Sequence, residues 1–156
     1  MISGRSAARA AVVTLVVVAA DQATKALVRA NVELGDRDGV LPGIDLVHVR
    51  NRGVAFGLFA DGGLVLVAIG LVSVIALLAF FATHMDRRLV WLPTGLLIGG
   101  AGGNLIDRAR EGSVTDFVDL PLWPAFNLAD AAITIGVLAL LYVLEGPPSR
   151  GPGHRS

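Results

Sequence analysis

The stretch LVLVAIGLVSVIALLAFFA, from Leu64 to Ala82, decides the fold. It holds no charged residue. As a helix rising about 1.5 Å per residue it reaches across the roughly 30 Å of a bilayer's hydrocarbon core. A second such stretch, LVWLPTGLLIGGAGGNLI, runs from Leu89 to Ile106. Two shorter apolar runs flank them. Ala10 to Ala20 stops at Asp21, and Ala131 to Leu144 is preceded by Asp130. Each attains spanning length only if its charged end is included. The expected spans are therefore 10–28, 64–82, 89–107 and 126–144. A rival reading makes the first run a signal peptide, since Arg5 and Arg9 precede a short apolar core. The helical pattern that continues through DQATKALVRA argues against it.

The composition agrees with a membrane protein. Of 156 residues, 54% are hydrophobic, and the mean hydropathy is +0.68. The formal net charge is zero, which offers nothing to nucleic acid. With no cysteine there are no disulfides, no thiolate chemistry and no cysteine-held metal. His48, His84 and His154 lie far apart and no HExxH occurs, so no metal or other cofactor is expected.

Four spans in an up-down-up-down path sort the polar residues. The C-terminal ends of spans 1 and 3 and the N-terminal end of span 4 share one side, as does the segment 31–63. Asp21, Lys25, Asn104, Asp107, Arg108, Asn127 and Asp130 then converge on one face. Ionisable groups so close to hydrocarbon are candidates for function. Lysine and arginine counts do not decide the orientation. Arg5 and Arg9 before span 1, and the two arginines of the short MDRR loop, place both termini in the cytoplasm. IDLVHVRNRGVAFGLF predicts short strands. The expected fold is an all-α membrane protein: four transmembrane helices, with a small extra-membrane β-containing module over 31–63 between spans 1 and 2. One domain covers 1–146, and the proline- and glycine-rich tail 147–156 is expected to be mobile.

Several motifs carry chemistry. In DQATK, Asp21 and Lys25 are one turn apart and can pair, either as an interfacial salt bridge or as part of a site. In NRGVAFGLF, Gly53 and Gly57 permit a tight path. Asn51 and Arg52 can meet a substrate backbone or a lipid head group, while Phe56 and Phe59 suit an aromatic belt. Gly95, Gly99 and Gly103 recur every four residues, a doubled small-xxx-small stripe for close helix approach. Asn104 and Arg108 share the face at its end; Asp107 and Arg108 can also simply cap that helix. In FNLAD, Asn127 suits an N-cap, and Asp130 suits the return bond of a capping box. Asp119, before Pro121, reads as a turn residue. Asp116, among apolar neighbours in VTDF, requires a partner if buried.

Two carboxyls held together cannot both ionise readily, and they titrate as a pair. The ionised member can take a proton from water while the protonated member donates to a peptide carbonyl. A small proton or ion transporter is the competing class. Against it, the polar groups gather on one side, and no pair of broken helices marks a midplane site. A purely structural membrane protein leaves the carboxylates without a purpose.

DQATK, NRGVAFG, GGAGGNLIDR, GSVTDF and FNLAD occur in the order and spacing of the lipoprotein signal peptidases, and from Asp21 to Asp130 the chain resembles that family. The resemblance implies an aspartic dyad of Asp116 and Asp130, supported by Asp21, Lys25, Asn51, Arg52, Gly53, Asn104, Arg108 and Asn127. It implies an enzyme of the bacterial cytoplasmic (inner) membrane with its site toward the outer face. Such an enzyme cleaves lipid-modified prolipoproteins just before the diacylglyceryl cysteine, lies among membrane lipids and binds globomycin-type cyclic peptides.

Overall fold

The computed structural model of the protein describes residues 2–53, 63–85, 87 and 89–145. Expectations for Phe56, Gly57, Phe59 and the tail 147–156 fall outside the described residues. The elements run in the order α1 (Ile2–Asn31), β1 (Arg37–Leu41), β2 (Ile44–Asn51), α2 (Gly63–Thr83), α3 (Trp91–Glu111), β3 (Val114–Leu120), β4 (Trp123–Phe126) and α4 (Leu128–Glu145).

Three of these helices, α1, α2 and α4, are long and apolar enough to cross a membrane. The third helix is as long as α2, at 21 residues, but ends in Asp107, Arg108, Arg110 and Glu111. It is the central helix and packs against each of the other three. α1 is unbroken from Ile2, through Asp21 and Lys25, to Asn31.

The glycine stripe explains this arrangement. Between helices in lipid there is no hydrophobic drive, and close van der Waals packing takes its place. A Cβ added at Gly95 would lie 2.6 Å from Val13 Cβ and 2.8 Å from the Ala10 carbonyl oxygen. One added at Gly99 would lie 2.7 Å from Val17 Cβ. The stripe therefore faces α1 at backbone contact, and Thr14 donates to the Gly95 carbonyl across it at 3.3 Å. On the neighbouring face Gly100 meets the α4 backbone, where an added Cβ would be 2.5 Å from the Ala129 oxygen.

The β-structure differs from the expectation. The strands in the described part of the segment, 31–53, do not stand alone. β1 and β2 form half of an antiparallel sheet of order β1-β2-β3-β4, whose other half comes from between α3 and α4. β3 escapes a search for alternation because Val114 through Phe117 are all buried, so no polar face repeats. Pro121 and Pro124 further disguise the β3–β4 hairpin. Asp119 is accordingly not a turn residue. It lies within β3, opposite Asp45, and both aspartates pair with Arg37. Phe117 of β3 packs with Val28 and Val32, joining the sheet to the last turns of α1. At the end of α3, Gly112 takes the left-handed conformation (φ 69°) and donates to the Arg108 carbonyl at 3.0 Å. That C-cap reverses the chain directly into β3, which carries Asp116.

Replacing Gly95 by alanine is expected to destabilise the helix assembly by about 1–3 kcal/mol through overpacking. Gly102→Ala is the control, because its added Cβ has only Val18 Cγ2 at 3.7 Å. Thermal unfolding in detergent compares the two: a clear loss for Gly95→Ala and almost none for Gly102→Ala.

Candidate active site

Where α1, α3, β3 and α4 meet, Asp21, Lys25, Asn104, Asp107, Asp116 and Asn127 are all buried. The centre of this cluster is Lys25, the only lysine in the chain. Its ammonium group lies 2.8 Å from Asp21 Oδ2, 3.0 Å from Asp107 Oδ2 and 3.0 Å from Asn104 Oδ1. Three acceptors match three N–H donors, which is what a buried ammonium requires.

Each carboxylate of this network also holds backbone. Asp21 Oδ1 accepts from the Ala129 N–H at 3.0 Å, tying α1 to the first turn of α4. Asp107 Oδ2 accepts from the Thr115 N–H at 3.2 Å, tying α3 to the start of β3. Gly103 lets Asp21 approach, since a Cβ there would be 2.5 Å from Asp21 Oδ2. Gln22 donates to Asp107 Oδ1 at 2.8 Å, to the Gly103 carbonyl and to Asp21. Arg29 reaches the Thr115 hydroxyl at 3.1 Å. Gln22, Arg29 and Thr115 are not indicated by the sequence pattern, and Asp107 is indicated only as a member of the polar face or as a helix cap. Asp107 offered the one usable signal, because it follows Asn104 by three residues on the same helical face.

Around this platform three carboxamides orient two further carboxylates. Asn104 turns its oxygen to Lys25 and to Asn127 Nδ2 (3.2 Å), and its nitrogen donates to Asp130 Oδ1 at 2.8 Å. Asn127 donates from Nδ2 to Asp116 Oδ1 at 2.7 Å. Its own N–H donates to Asp130 Oδ2 (3.3 Å), and the Asp130 N–H returns to Asn127 Oδ1 (3.0 Å). That is the reciprocal capping box expected from FNLAD. Asn51, from β2, donates to Asp116 Oδ2 at 3.0 Å and accepts the Gly53 N–H at 2.7 Å. Gly53 has φ +81°, and a side chain there would overlap Leu66, so the turn that sets Asn51 requires glycine.

Asp116 and Asp130 thus share Asn127 as a common partner, and every oxygen of the two accepts one N–H. Arg108, half-buried, folds back toward the Asn104 carbonyl at 3.4 Å. Arg52 is exposed and makes no hydrogen bond or ion pair among the described residues. The site gathers Asp21, Asp107, Asp116 and Asp130 against Lys25 and Arg108, an excess of negative charge that favours retention of a proton. Burial pushes the Asp116 carboxyl up from 3.8 to about 6. The charge of Asp130 acts in the same direction, while the bonds from Asn51 and Asn127 and the charge of Lys25 oppose it.

Fold and site together define a class: a helical membrane protein whose helix ends enclose a buried centre of carboxylates and carboxamides. Comparison with known proteins specifies it further. The family model described as signal peptidase II matches residues 13–145. The chain belongs to the signal peptidase II family, a family of proteases. It is similar to the lipoprotein signal peptidase of Moorella thermoacetica, with 44% identity over 85% of this chain and 90% of that one. The lipoprotein signal peptidase of Halothermothrix orenii is 38% identical over 85% of this chain and 92% of its own. Two solved structures described as bacterial membrane enzymes share the fold. One has a TM-score of 0.81 at 30% identity over 94% of this chain and 93% of that chain. The other has a TM-score of 0.81 at 32% identity over 86% and 91%.

Lys25→Met leaves Asp21 and Asp107 buried without their cation. A loss of about 3–5 kcal/mol is expected, as for any buried pair stripped of one partner. Arg29→Met removes two part-exposed contacts, to Thr115 and to Glu111, and is expected to cost about 1 kcal/mol, well below the Lys25 change. Thermal unfolding of both variants in detergent checks the ranking.

Proposed function

We propose that this protein is an aspartic endopeptidase of the bacterial inner membrane. It removes the signal peptide from diacylglyceryl-modified prolipoproteins, cleaving just before the lipidated cysteine. The observation that carries this reading is the shared grip of Asn127 on Asp116 and Asp130, which holds two carboxyls from different elements in one site.

In this mechanism the pair carries one proton. The ionised carboxylate takes a proton from a water molecule, and the oxygen of that water attacks the carbonyl carbon of the scissile bond. The protonated carboxyl donates to the carbonyl oxygen, giving a neutral gem-diol. Collapse of the gem-diol breaks the C–N bond as the protonated carboxyl donates to the leaving nitrogen and the ionised carboxylate takes the proton of a gem-diol hydroxyl, so that the pair again carries one proton. No covalent intermediate forms. The upward shift of the Asp116 carboxyl, to about 6, supports a proton held at the site in mildly acidic solution. Lys25, Asp21 and Asp107 act through Asn104 and Thr115 as positioning groups.

The position of the same polar cluster supports a membrane placement. The C-terminal ends of α1 and α3 and the N-terminal end of α4 meet at the cluster, as an up-down-up-down path requires. α3 is then a fourth span, shielded from lipid by its three neighbours. Both termini lie in the cytoplasm and the dyad at the outer face. There it meets a cysteine whose lipid is anchored in the outer leaflet. A globomycin-type cyclic peptide that presents a polar group to the dyad would block the same site.

The test follows a diacylglyceryl-modified prolipoprotein in detergent, read by its size shift. Wild type is expected to cleave it. Asp116→Asn and Asp130→Asn are each expected to lose at least about 10³-fold in turnover. Efficient cleavage by either variant rejects the dyad, and an uncleaved substrate with wild type rejects the peptidase reading.

A further inference from the structure

The pairing of β2 with β3 slips by one residue on its way to the site. Leu46 stands opposite Val118, but Val49 stands opposite Asp116. Val47 and His48 therefore face Phe117 together, which is a β-bulge. The extra residue decides where Asn51 points. In an unbulged pairing Arg50 would stand opposite Val114 in place of Asn51, and a slip of one residue turns each side chain to the other face. The bond from Asn51 to Asp116 Oδ2, at 3.0 Å, depends on the bulge.

His48 is anchored on the side away from β3. Its N–H donates to the Asp36 carbonyl at 3.3 Å, and its carbonyl accepts the Gly35 N–H at 2.9 Å. Its ring is buried, with Nδ1 2.9 Å from the Val32 carbonyl oxygen. Val32 follows α1 and closes the last turn by donating to the Val28 carbonyl at 2.9 Å. Its own carbonyl lies at a helix end, where no helical N–H serves it. A carbonyl only accepts, so Nδ1 carries the ring hydrogen and Nε2 a lone pair. That Nε2 is buried with no partner among the described residues. The Nδ1 bond is therefore what a histidine adds here over a phenylalanine. Among the described residues it is the only side-chain hydrogen bond between β2 and either α1 or the turn after it.

We propose that His48 is a positioning residue for Asp116. Its ring fastens the bulge to the end of α1, the helix that carries Lys25, and the bulge aims Asn51 at the carboxyl. The inference deepens the dyad reading above, and its main readout is taken in the resting protein, without cleavage.

Isotope-edited infrared titration of labelled aspartate, with the full chain in detergent, reads Asp116. Burial raises this carboxyl to about 6 and the Asn51 bond holds it down, so loss of that bond moves its titration further up. Asp130, Lys25 and Arg108 also act on Asp116, and they stay in place in every variant. Asparagine offers an N–H at the position of Nδ1, glutamine at that of Nε2. His48→Gln and His48→Phe are expected to raise the midpoint by about 0.5 pH or more, as Asn51→Leu does. Combining His48→Gln with Asn51→Leu is expected to raise it no further than Asn51→Leu alone. His48→Asn is expected to keep the wild-type midpoint. It lacks the imidazole too, so its rescue separates the bond from any charge on the ring. Val47→Ala loosens the same bulge without touching the bond; it is expected to lower thermal stability and leave the midpoint alone. A midpoint that ignores His48→Gln, or that moves equally in Val47→Ala or His48→Asn, overturns the proposal. With a diacylglyceryl-modified prolipoprotein, kcat is expected to fall about tenfold in His48→Gln and to recover in His48→Asn, at unchanged KM. Midpoints in this order without cleavage by wild type remove the peptidase reading alone, and cleavage with midpoints out of order removes the positioning role alone. If no carboxyl titrates in wild type, the shared proton falls, and the order of kcat decides the positioning role.

Discussion

One buried ammonium governs the arrangement of this molecule. Lys25 has no access to solvent, and its charge is balanced by Asp21 and Asp107. Such a cation is tolerated near hydrocarbon only when all its donors are satisfied. Satisfying them draws α1 and α3 together at the height of Asn104. The same carboxylates then accept the N–H groups of Ala129 and Thr115, so the network also places the first turn of α4 and the start of β3. The glycine stripe makes the approach possible, since bulkier residues at Gly95, Gly99 and Gly103 would hold α1 away.

The geometry of the two further carboxyls is an outgrowth of that anchor. Asn104 passes the position of Lys25 to Asp130 through its two ends, and Asn127 links Asp130 to Asp116. Because each carboxamide has an oxygen already engaged, its nitrogen has one direction left to point. Two carboxyls from β3 and α4 are therefore oriented by groups that cannot rotate without losing a buried bond. Preorganisation of this kind suits the activation of water, where the geometry must exist before the substrate arrives.

Much of this was legible from residue order. Leu64–Ala82 marks α2 by hydropathy alone, the four-residue spacing of glycines marks the close face of α3, and Asn127 with Asp130 marks a capping box that the structure contains. What escaped has physical reasons. β3 is buried without alternation, so period-two patterning is silent on it. The pairing of β2 with β3 joins segments more than sixty residues apart, for instance Asn51 with Val114, and no local pattern encodes it. Asp119 resembles a turn residue because a proline follows, yet its charge serves an ion pair with Arg37 within the sheet. Asp107 resembles a helix cap, and its role as the second counter-ion of Lys25 depends on a contact between helices.

The central claim is that Asp116 and Asp130 hold one proton between them in a site fixed by the Lys25 network. Isotope-edited infrared spectroscopy of the resting protein, with labelled aspartate, reads that proton directly as a function of pH. One protonated carboxyl should titrate near pH 6. It should be absent in Asp116→Asn, and it should move to lower pH in Asp130→Asn, where the neighbouring negative charge is gone. A protein in which no carboxyl titrates near that pH, or in which the titration ignores the loss of Asp130, would contradict the account.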